Sequence, residues 1–162
     1  MLTGHVVGRY GTSFNALQDF KVFRIFTMQN IPIGSKGSYS LVVTADHLAN
    51  RFKDATLPPV FATPMMIMLM ENAALNAIKP YLDAGESCVG TKVDVSHLAA
   101  TPAGMTVTAN AEVTAVTGRK IEFRVEASDG IDTIGVATHE RVVIDRQRLA
   151  ERLKAKSAAT CP

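Results

Sequence analysis

The longest run of apolar residues in the chain lies between Thr63 and Pro80 and predicts one long helix. Thr63 suits the N-cap and Pro64 the first helical position, where the missing N–H of proline costs nothing. Pro80 ends the helix, because proline lacks the amide donor and clashes with the preceding turn. A helix of this length, about 24 Å, is too short to span a membrane. We expect protein to enclose it, because its apolar residues leave almost no polar face: Met65, Met66, Ile67, Met68, Leu69, Met70, Ala73, Ala74, Leu75, Ala77 and Ile78.

A single carboxylate, Glu71, stands in the middle of this apolar run. A carboxylate that is removed from water has to be paired, hydrogen-bonded or protonated. Glu71 is therefore either a buried functional group or a residue on the one polar edge of the helix, beside Asn72 and Asn76.

Alternation of apolar and polar residues predicts strands on both sides of the helix. A first strand precedes it, followed by a short helical turn over Asp46 to Phe52 and an irregular loop over Lys53 to Pro59. Compact glycine-containing turns at 117–119 and 129–132 are typical of hairpins. The pattern predicts an α+β fold in which an antiparallel sheet wraps around one long central helix. The predicted strands are Lys36 to Thr44, Ser87 to His97, Met105 to Thr117, Lys120 to Ser128 and Thr133 to Asp145.

The two ends of the chain differ from this central part. Residues 1–27 show no clean periodicity, and we expect them to be a loosely ordered extension before a domain over residues 28–145. Met28 is a candidate for the natural start of translation. Residues 146–162 are predicted to form an amphipathic helix with Asp145 as its cap, followed by a tail.

Composition narrows the range of partners. A chain of 162 residues suits one domain, and its 17 Lys and Arg are offset by 15 Asp and Glu, which gives no electrostatic case for nucleic acid. The only two cysteines, Cys88 and Cys161, favour a reducing cytoplasm over a disulfide framework. Neither has a histidine or second cysteine at metal-ligand spacing, and we expect no metal site.

Several stretches together resemble the fluoroacetyl-CoA thioesterase-like family of hotdog-fold acyl-CoA thioesterases. The Thr63-Pro64 entry to a helix that carries Glu71 is one of them, and the resemblance extends roughly from Val42 to Ile144. Combined motifs over this length are far more specific than any one of them. The other matching stretches are 80–82, Gly85-Glu86, 89–104, 129–132, Ile134-Gly135 and 138–141.

The resemblance implies an active site made of Thr63, Glu71 and His97, with the backbone of Gly90 as the donor for the thioester carbonyl. Thioester hydrolysis needs an activated nucleophile, an oxyanion donor and a proton for the leaving thiolate. We expect Glu71 and His97 to supply the acid–base chemistry and Thr63 to be the nucleophile or a positioning hydroxyl. Attack by Thr63, by water or by Glu71 itself all remain open. His139 is interpreted as structural or exposed.

The resemblance also implies a homodimer or a dimer of dimers, with active sites at the subunit interface. No cofactor is expected, since CoA is part of the substrate. The loop over Lys53 to Pro59 lacks an aromatic residue where the fluoroacetyl-specific member has lid phenylalanines. We therefore expect hydrolysis of short acyl-CoA esters without selection for fluoroacetyl-CoA. The alternatives are a hotdog enoyl-thioester hydratase or dehydratase and a non-catalytic acyl-CoA-binding module.

Overall fold

In the computed structural model of the chain, residues 30–159 are described. They form a sheet, one long helix and a C-terminal helix, in the order that the alternation predicts. The elements are β1 (Lys36–Val42), a 3-10 turn (Ala45–His47), α1 (Ala49–Phe52), α2 (Thr63–Ile78), a second 3-10 turn (Lys79–Tyr81), β2 (Glu86–His97), β3 (Thr106–Thr117), β4 (Lys120–Ser128), β5 (Thr133–Asp145) and α3 (Arg146–Ala158).

The five strands form one antiparallel sheet in the order β1-β3-β4-β5-β2. Helix α2 lies across one face of the sheet and contacts β1 and β3 most extensively. The predicted α+β arrangement, an antiparallel sheet around a central helix, is confirmed. Because β2 is an edge strand that pairs only with β5, backbone groups on its outer side are not used within the sheet.

The core lies between α2 and the inner face of the sheet. Met66, Leu69 and Met70 of the helix and Phe123 of β4 are fully buried there. Gly37 of β1 allows the closest approach, because a Cβ at this position would overlap the α2 backbone at Ala77. A tight helix–sheet contact of this kind fixes where the side chains of α2 lie relative to the strands.

The start of α2 differs from the prediction. Ala62, not Thr63, occupies the N-cap position, and no side chain caps the helix. Thr63 is the first helical residue and Pro64 follows it, while the helix ends at Ile78, two residues before Pro80. The predicted capping role of Thr63 is therefore wrong, because its hydroxyl bonds elsewhere.

The prediction that protein encloses α2 on all sides is wrong for the single chain. Seven of its residues are buried, but Met65, Ile67, Met68 and Leu75 are only half-buried. The sheet covers one side of the helix, and the opposite apolar side stays partly exposed.

The C-terminal helix begins as expected. The Asp145 carboxylate accepts a hydrogen bond from the Arg148 backbone N–H at 2.9 Å, and α3 has no buried residue. No helix within residues 30–159 is long and apolar enough to cross a membrane. The predicted extension over residues 1–27 and the second cysteine, Cys161, lie outside the described residues.

Candidate active site

The first residue of α2 meets the last residue of β2. Thr63 Oγ1 lies 2.9 Å from His97 Nδ1, and both residues are half-buried. Since no side chain caps the helix, the Thr63 hydroxyl is directed to the imidazole and not to the helix amides. A hydroxyl hydrogen-bonded to an imidazole is the arrangement in which a histidine can take the proton of a nucleophile.

The other imidazole nitrogen of His97 distinguishes this residue from an ordinary structural histidine. His97 Nε2 is buried and has no hydrogen-bond partner among the described residues. Burying a polar atom without a partner costs free energy, about 1–3 kcal/mol. A buried polar atom of this kind needs an explanation, such as a bound water or exchange of a proton with a substrate.

Glu71 lies two turns further along α2 and faces Gly90 of β2. A Cβ added at Gly90 would come within 2.7 Å of Glu71 Oε1, so the carboxylate lies directly against this glycine. The strand has a register shift between Gly90 and Lys92, which marks a β-bulge. The Glu71 side chain is 39% exposed in the single chain, so of the two alternatives for this residue a fully buried carboxylate is excluded for one protomer.

The four predicted site residues therefore fall into two groups. Thr63 and His97 form one pair, and Glu71 and Gly90 form another. Eight positions separate Thr63 and Glu71 on the helix, about 12 Å along its axis. No hydrogen bond or ion pair between described residues connects the two groups.

Two residues near Glu71 were not predicted as part of the site. Arg141 of β5 pairs with Gly90 across the sheet, and its Nη1 lies 3.6 Å from Glu71 Oε2. His139 is 2% exposed and places its Cε1 3.1 Å from the position of a Cβ on Gly90. His139 is therefore not an exposed residue, and of the two interpretations only the structural one fits this position. We call Glu71, Cys88, Gly90, His139 and Arg141 the Glu71 cluster.

Strand alternation could have identified these residues. Ala137, His139, Arg141 and Val143 are spaced two apart and are all buried, while Thr138 between them is exposed. Residues two apart on a strand point to the same face of the sheet, so His139 and Arg141 share the buried face with Ala137 and Val143.

Burial changes the acid–base properties of the cluster. It lowers the pKa of His139 below the ordinary value of 6.5, and the nearby Arg141 guanidinium acts in the same direction. Burial likewise raises the pKa of the Cys88 thiol, against the effect of the hydrogen bond from Arg141. At neutral pH both groups are therefore uncharged, and the charges within the cluster are those of Glu71 and Arg141.

Comparison with known proteins agrees with this arrangement. The sequence profile of the family described as fluoroacetyl-CoA-specific thioesterase matches residues 43–147. A fluoroacetyl-CoA thioesterase of Streptantibioticus cattleyicolor is 42% identical over 132 residues, which make up 78% of this chain and 95% of that protein.

Solved structures give the same result. A mutant of the fluoroacetyl-CoA-specific thioesterase in complex with fluoroacetate and CoA matches with a TM-score of 0.69 and 41% identity, over 73% of this chain and 98% of the other. A Thermus thermophilus hypothetical protein, a thioesterase superfamily member, matches with a TM-score of 0.73 and 34% identity, over 82% and 99%. The chain therefore belongs to the fluoroacetyl-CoA-specific thioesterase family and is an acyl-CoA thioesterase of the hotdog fold.

Proposed function

We propose that the protein hydrolyses short acyl-CoA thioesters to the free acid and CoA, with Thr63, Glu71 and His97 as its catalytic residues. The observation that carries this proposal is the 2.9 Å contact between Thr63 Oγ1 and His97 Nδ1 at the start of α2. The N-terminal end of a helix favours negative charge, which assists a hydroxyl or water molecule that loses its proton there.

In the proposed reaction, His97 accepts a proton from Thr63 or from a water held by it, and later returns a proton to the CoA thiolate. Glu71 supplies the carboxylate that activates water or stabilises the imidazolium. Gly90 provides a backbone N–H for the thioester oxygen, and its missing side chain leaves room for the substrate. Removing an oxyanion donor of this kind typically costs about 100-fold in rate.

We further propose that the enzyme is a homodimer whose active sites combine both protomers. Exposed apolar side chains support this: Val89 on the edge strand β2 and Leu98 directly after it are exposed, and one side of α2 is half-buried. The separation of about 12 Å between Thr63 and Glu71 also fits a site in which Glu71 of one copy serves the Thr63–His97 pair of the other.

Mixing two inactive variants tests the shared site. Glu71→Gln and His97→Gln protomers, co-refolded, would give a heterodimer with one intact site if the residues come from different copies. Recovery of activity in the mixture supports the shared site. A mixture as inactive as its parents, in a protein shown by light scattering to be dimeric, would place each site within one protomer.

We propose that the acyl group is short and not restricted to fluoroacetyl, the group in the names of the relatives. The loop over residues 53–59 carries the partly exposed Leu57 and no aromatic side chain. Release of free thiol from acetyl-, fluoroacetyl-, butyryl-, octanoyl- and benzoyl-CoA identifies the preferred ester. A selective preference for fluoroacetyl-CoA over acetyl-CoA would overturn this part of the proposal.

The same proposal places the enzyme in the cytoplasm and assigns it no metal or cofactor. The acid–base groups it requires are present as side chains, and the Cys88 thiol is free. Activity that survives dialysis against a chelator is the expected result, and restoration by an added divalent cation would contradict it.

A further inference from the structure

The Arg141 guanidinium, which is not among the four predicted site residues, makes a dense set of hydrogen bonds in the site. Its Nε–H donates to Cys88 Sγ at 2.9 Å, and Nη2 donates to the Cys88 carbonyl at 3.1 Å. Its Nη1 donates to the Glu71 carbonyl at 3.3 Å, lies 3.1 Å from His139 Nε2 and lies 3.6 Å from Glu71 Oε2. All three nitrogens are occupied, and the side chain is only 7% exposed.

The contacts of His139 determine its protonation. Arginine has no acceptor, so His139 Nε2 has to accept the hydrogen bond from Arg141 Nη1. On the other side of the ring, Nδ1 lies 2.8 Å from the Lys92 carbonyl oxygen, which can only accept. His139 is therefore the neutral tautomer with its proton on Nδ1, and its ring is held further by a contact with Phe123 of β4 at a centroid distance of 5.9 Å.

The result is a continuous chain of contacts from the backbone of β2 to α2. The Lys92 carbonyl orients His139, and His139 orients Arg141. Arg141 in turn donates a hydrogen bond to the Glu71 backbone carbonyl and forms an ion pair with the Glu71 carboxylate. Charged groups around the imidazole are Arg141, Glu71 and Glu140.

We propose that His139 and Arg141 are positioning residues that hold the Glu71 carboxylate beside Gly90 in the geometry that hydrolysis requires. The proposal rests on the catalytic role of Glu71 in the proposed function.

Glu71 needs such an anchor because the rest of its surroundings is open. Its side chain is 39% exposed, and the position it faces is a glycine with no side chain to restrain it. A glutamate in this position has several accessible rotamers, and fixing one of them costs conformational entropy. Rigid, hydrogen-bonded supporting groups supply that restraint in working active sites.

The wild-type protein allows a direct test of the His139 tautomer by ¹⁵N NMR of the imidazole nitrogens. We expect Nδ1 to show the shift of a protonated nitrogen and Nε2 that of an acceptor at neutral pH. An imidazole protonated on Nε2 or on both nitrogens at neutral pH would overturn the proposal. This measurement does not depend on activity, so it stands even if no acyl-CoA is hydrolysed.

A double-mutant cycle tests the function of the contacts. His139→Phe keeps an aromatic ring against Phe123 but removes both hydrogen bonds, and Arg141→Lys keeps the charge but not the three-nitrogen fork. We expect each to lower kcat for the preferred ester by about tenfold to 100-fold, with a smaller effect on KM, because a carboxylate displaced by about 1 Å is a poor catalyst. Arg124→Lys, at an exposed arginine, is the matched control and leaves kcat unchanged.

The decisive part of the cycle is the Glu71→Gln background. Residues that act through Glu71 have little further effect there, so His139→Phe with Glu71→Gln should be about as slow as Glu71→Gln alone. Effects that multiply, or a wild-type kcat in His139→Phe, would show that His139 does not act through Glu71. Failure of the wild type to hydrolyse any ester would instead refute the proposed function, and the NMR result would still decide the positions of the protons.

Discussion

The Thr63–His97 pair and the Glu71 cluster lie about two helical turns apart on α2, and they are built in opposite ways. The pair has one hydrogen bond, half-buried members and a buried imidazole nitrogen without a partner among the described residues. The cluster surrounds Glu71 with a buried arginine and a buried histidine whose polar atoms are all used.

The difference in hydrogen bonding separates a histidine that has a nitrogen available for proton exchange from one whose two nitrogens are already bonded. An unsatisfied His97 Nε2 can gain a partner when substrate or water arrives. His139 cannot gain a proton without losing the hydrogen bond from Arg141. The two histidines thus differ in their hydrogen bonds, and we propose that this difference gives them different roles.

The largest expected effect is on stability, from Arg141→Met. The substitution removes the Arg141 donor from four acceptors in the cluster: Cys88 Sγ, the Cys88 carbonyl, the Glu71 carbonyl and His139 Nε2. We expect the free energy of unfolding to fall by about 3 kcal/mol. Urea unfolding measures it, and Arg124→Met at the exposed surface should change it by no more than about 0.5 kcal/mol. Equal losses in both variants would remove the distinction between cluster and surface.

His97→Phe should have the opposite signature. Within residues 30–159 the His97 ring makes one hydrogen bond, to Thr63, so we expect the free energy of unfolding to change by less than about 1 kcal/mol. Thioester hydrolysis should fall by about 100-fold or more, since general acid–base catalysis is worth at least that. Steady-state kinetics with the preferred acyl-CoA, beside urea unfolding of the same sample, checks both. A variant that unfolds easily but keeps its rate would reverse the assignment of the pair.

Strand limits and hairpin turns could be predicted from the sequence. Strands β4 and β5 have the predicted limits, because alternation along a sheet with one buried face is a local property of the sequence. The hairpin at Gly118, where φ is +57°, was predicted from the compact glycine-containing turn, which is also a local feature of the sequence.

The features that were predicted wrongly or not at all depend on contacts between residues that are distant in sequence. Thr63 was predicted to cap α2, but His97, 34 positions away, takes its hydroxyl. The neighbours of Glu71 on the helix did not decide between a buried carboxylate and one on the polar edge, because its exposure depends on which side of α2 the sheet covers. Arg141 and His139 were missed because nothing local shows that β2 and α2 converge on them, although the alternation of β5 placed both on the inner face.

Gly90→Ala tests whether the position of the Glu71 carboxylate matters, because it disturbs the cluster without removing any polar group. The new Cβ would lie 2.7 Å from Glu71 Oε1, the end of a flexible side chain that can move aside. We expect kcat to fall by about tenfold to 100-fold with a stability change of no more than about 1 kcal/mol. Gly118→Ala in the β3–β4 turn is the control: a Cβ there meets nothing, but the φ of +57° strains any side chain, so this variant should lose stability and keep kcat unchanged. Wild-type kcat in Gly90→Ala would mean that the exact position of Glu71 is unimportant.

The smallest effect concerns the pH dependence of stability. Burial lowers the pKa of His139 below 6.5, so between these two values the unfolded chain binds a proton that the folded chain does not. The contribution of neutral His139 is fully present above pH 6.5 and is lost as the pH falls through the lowered pKa of the folded state. Urea unfolding at a series of pH values should show a smaller acid-side decrease in His139→Phe than in the wild type. The same decrease in both would exclude His139 as its source.

The most direct test of the central claim is thiol release by wild type and Glu71→Gln, assayed side by side on the acyl-CoA panel. Glutamine keeps the size of the side chain and removes its charge and its capacity as a base. We expect hydrolysis of at least one short acyl-CoA by the wild type and a fall of about 100-fold or more in Glu71→Gln, roughly 2.7 kcal/mol in the barrier. Turnover by Glu71→Gln at the wild-type rate would show that the carboxylate held by Arg141 takes no part in the reaction.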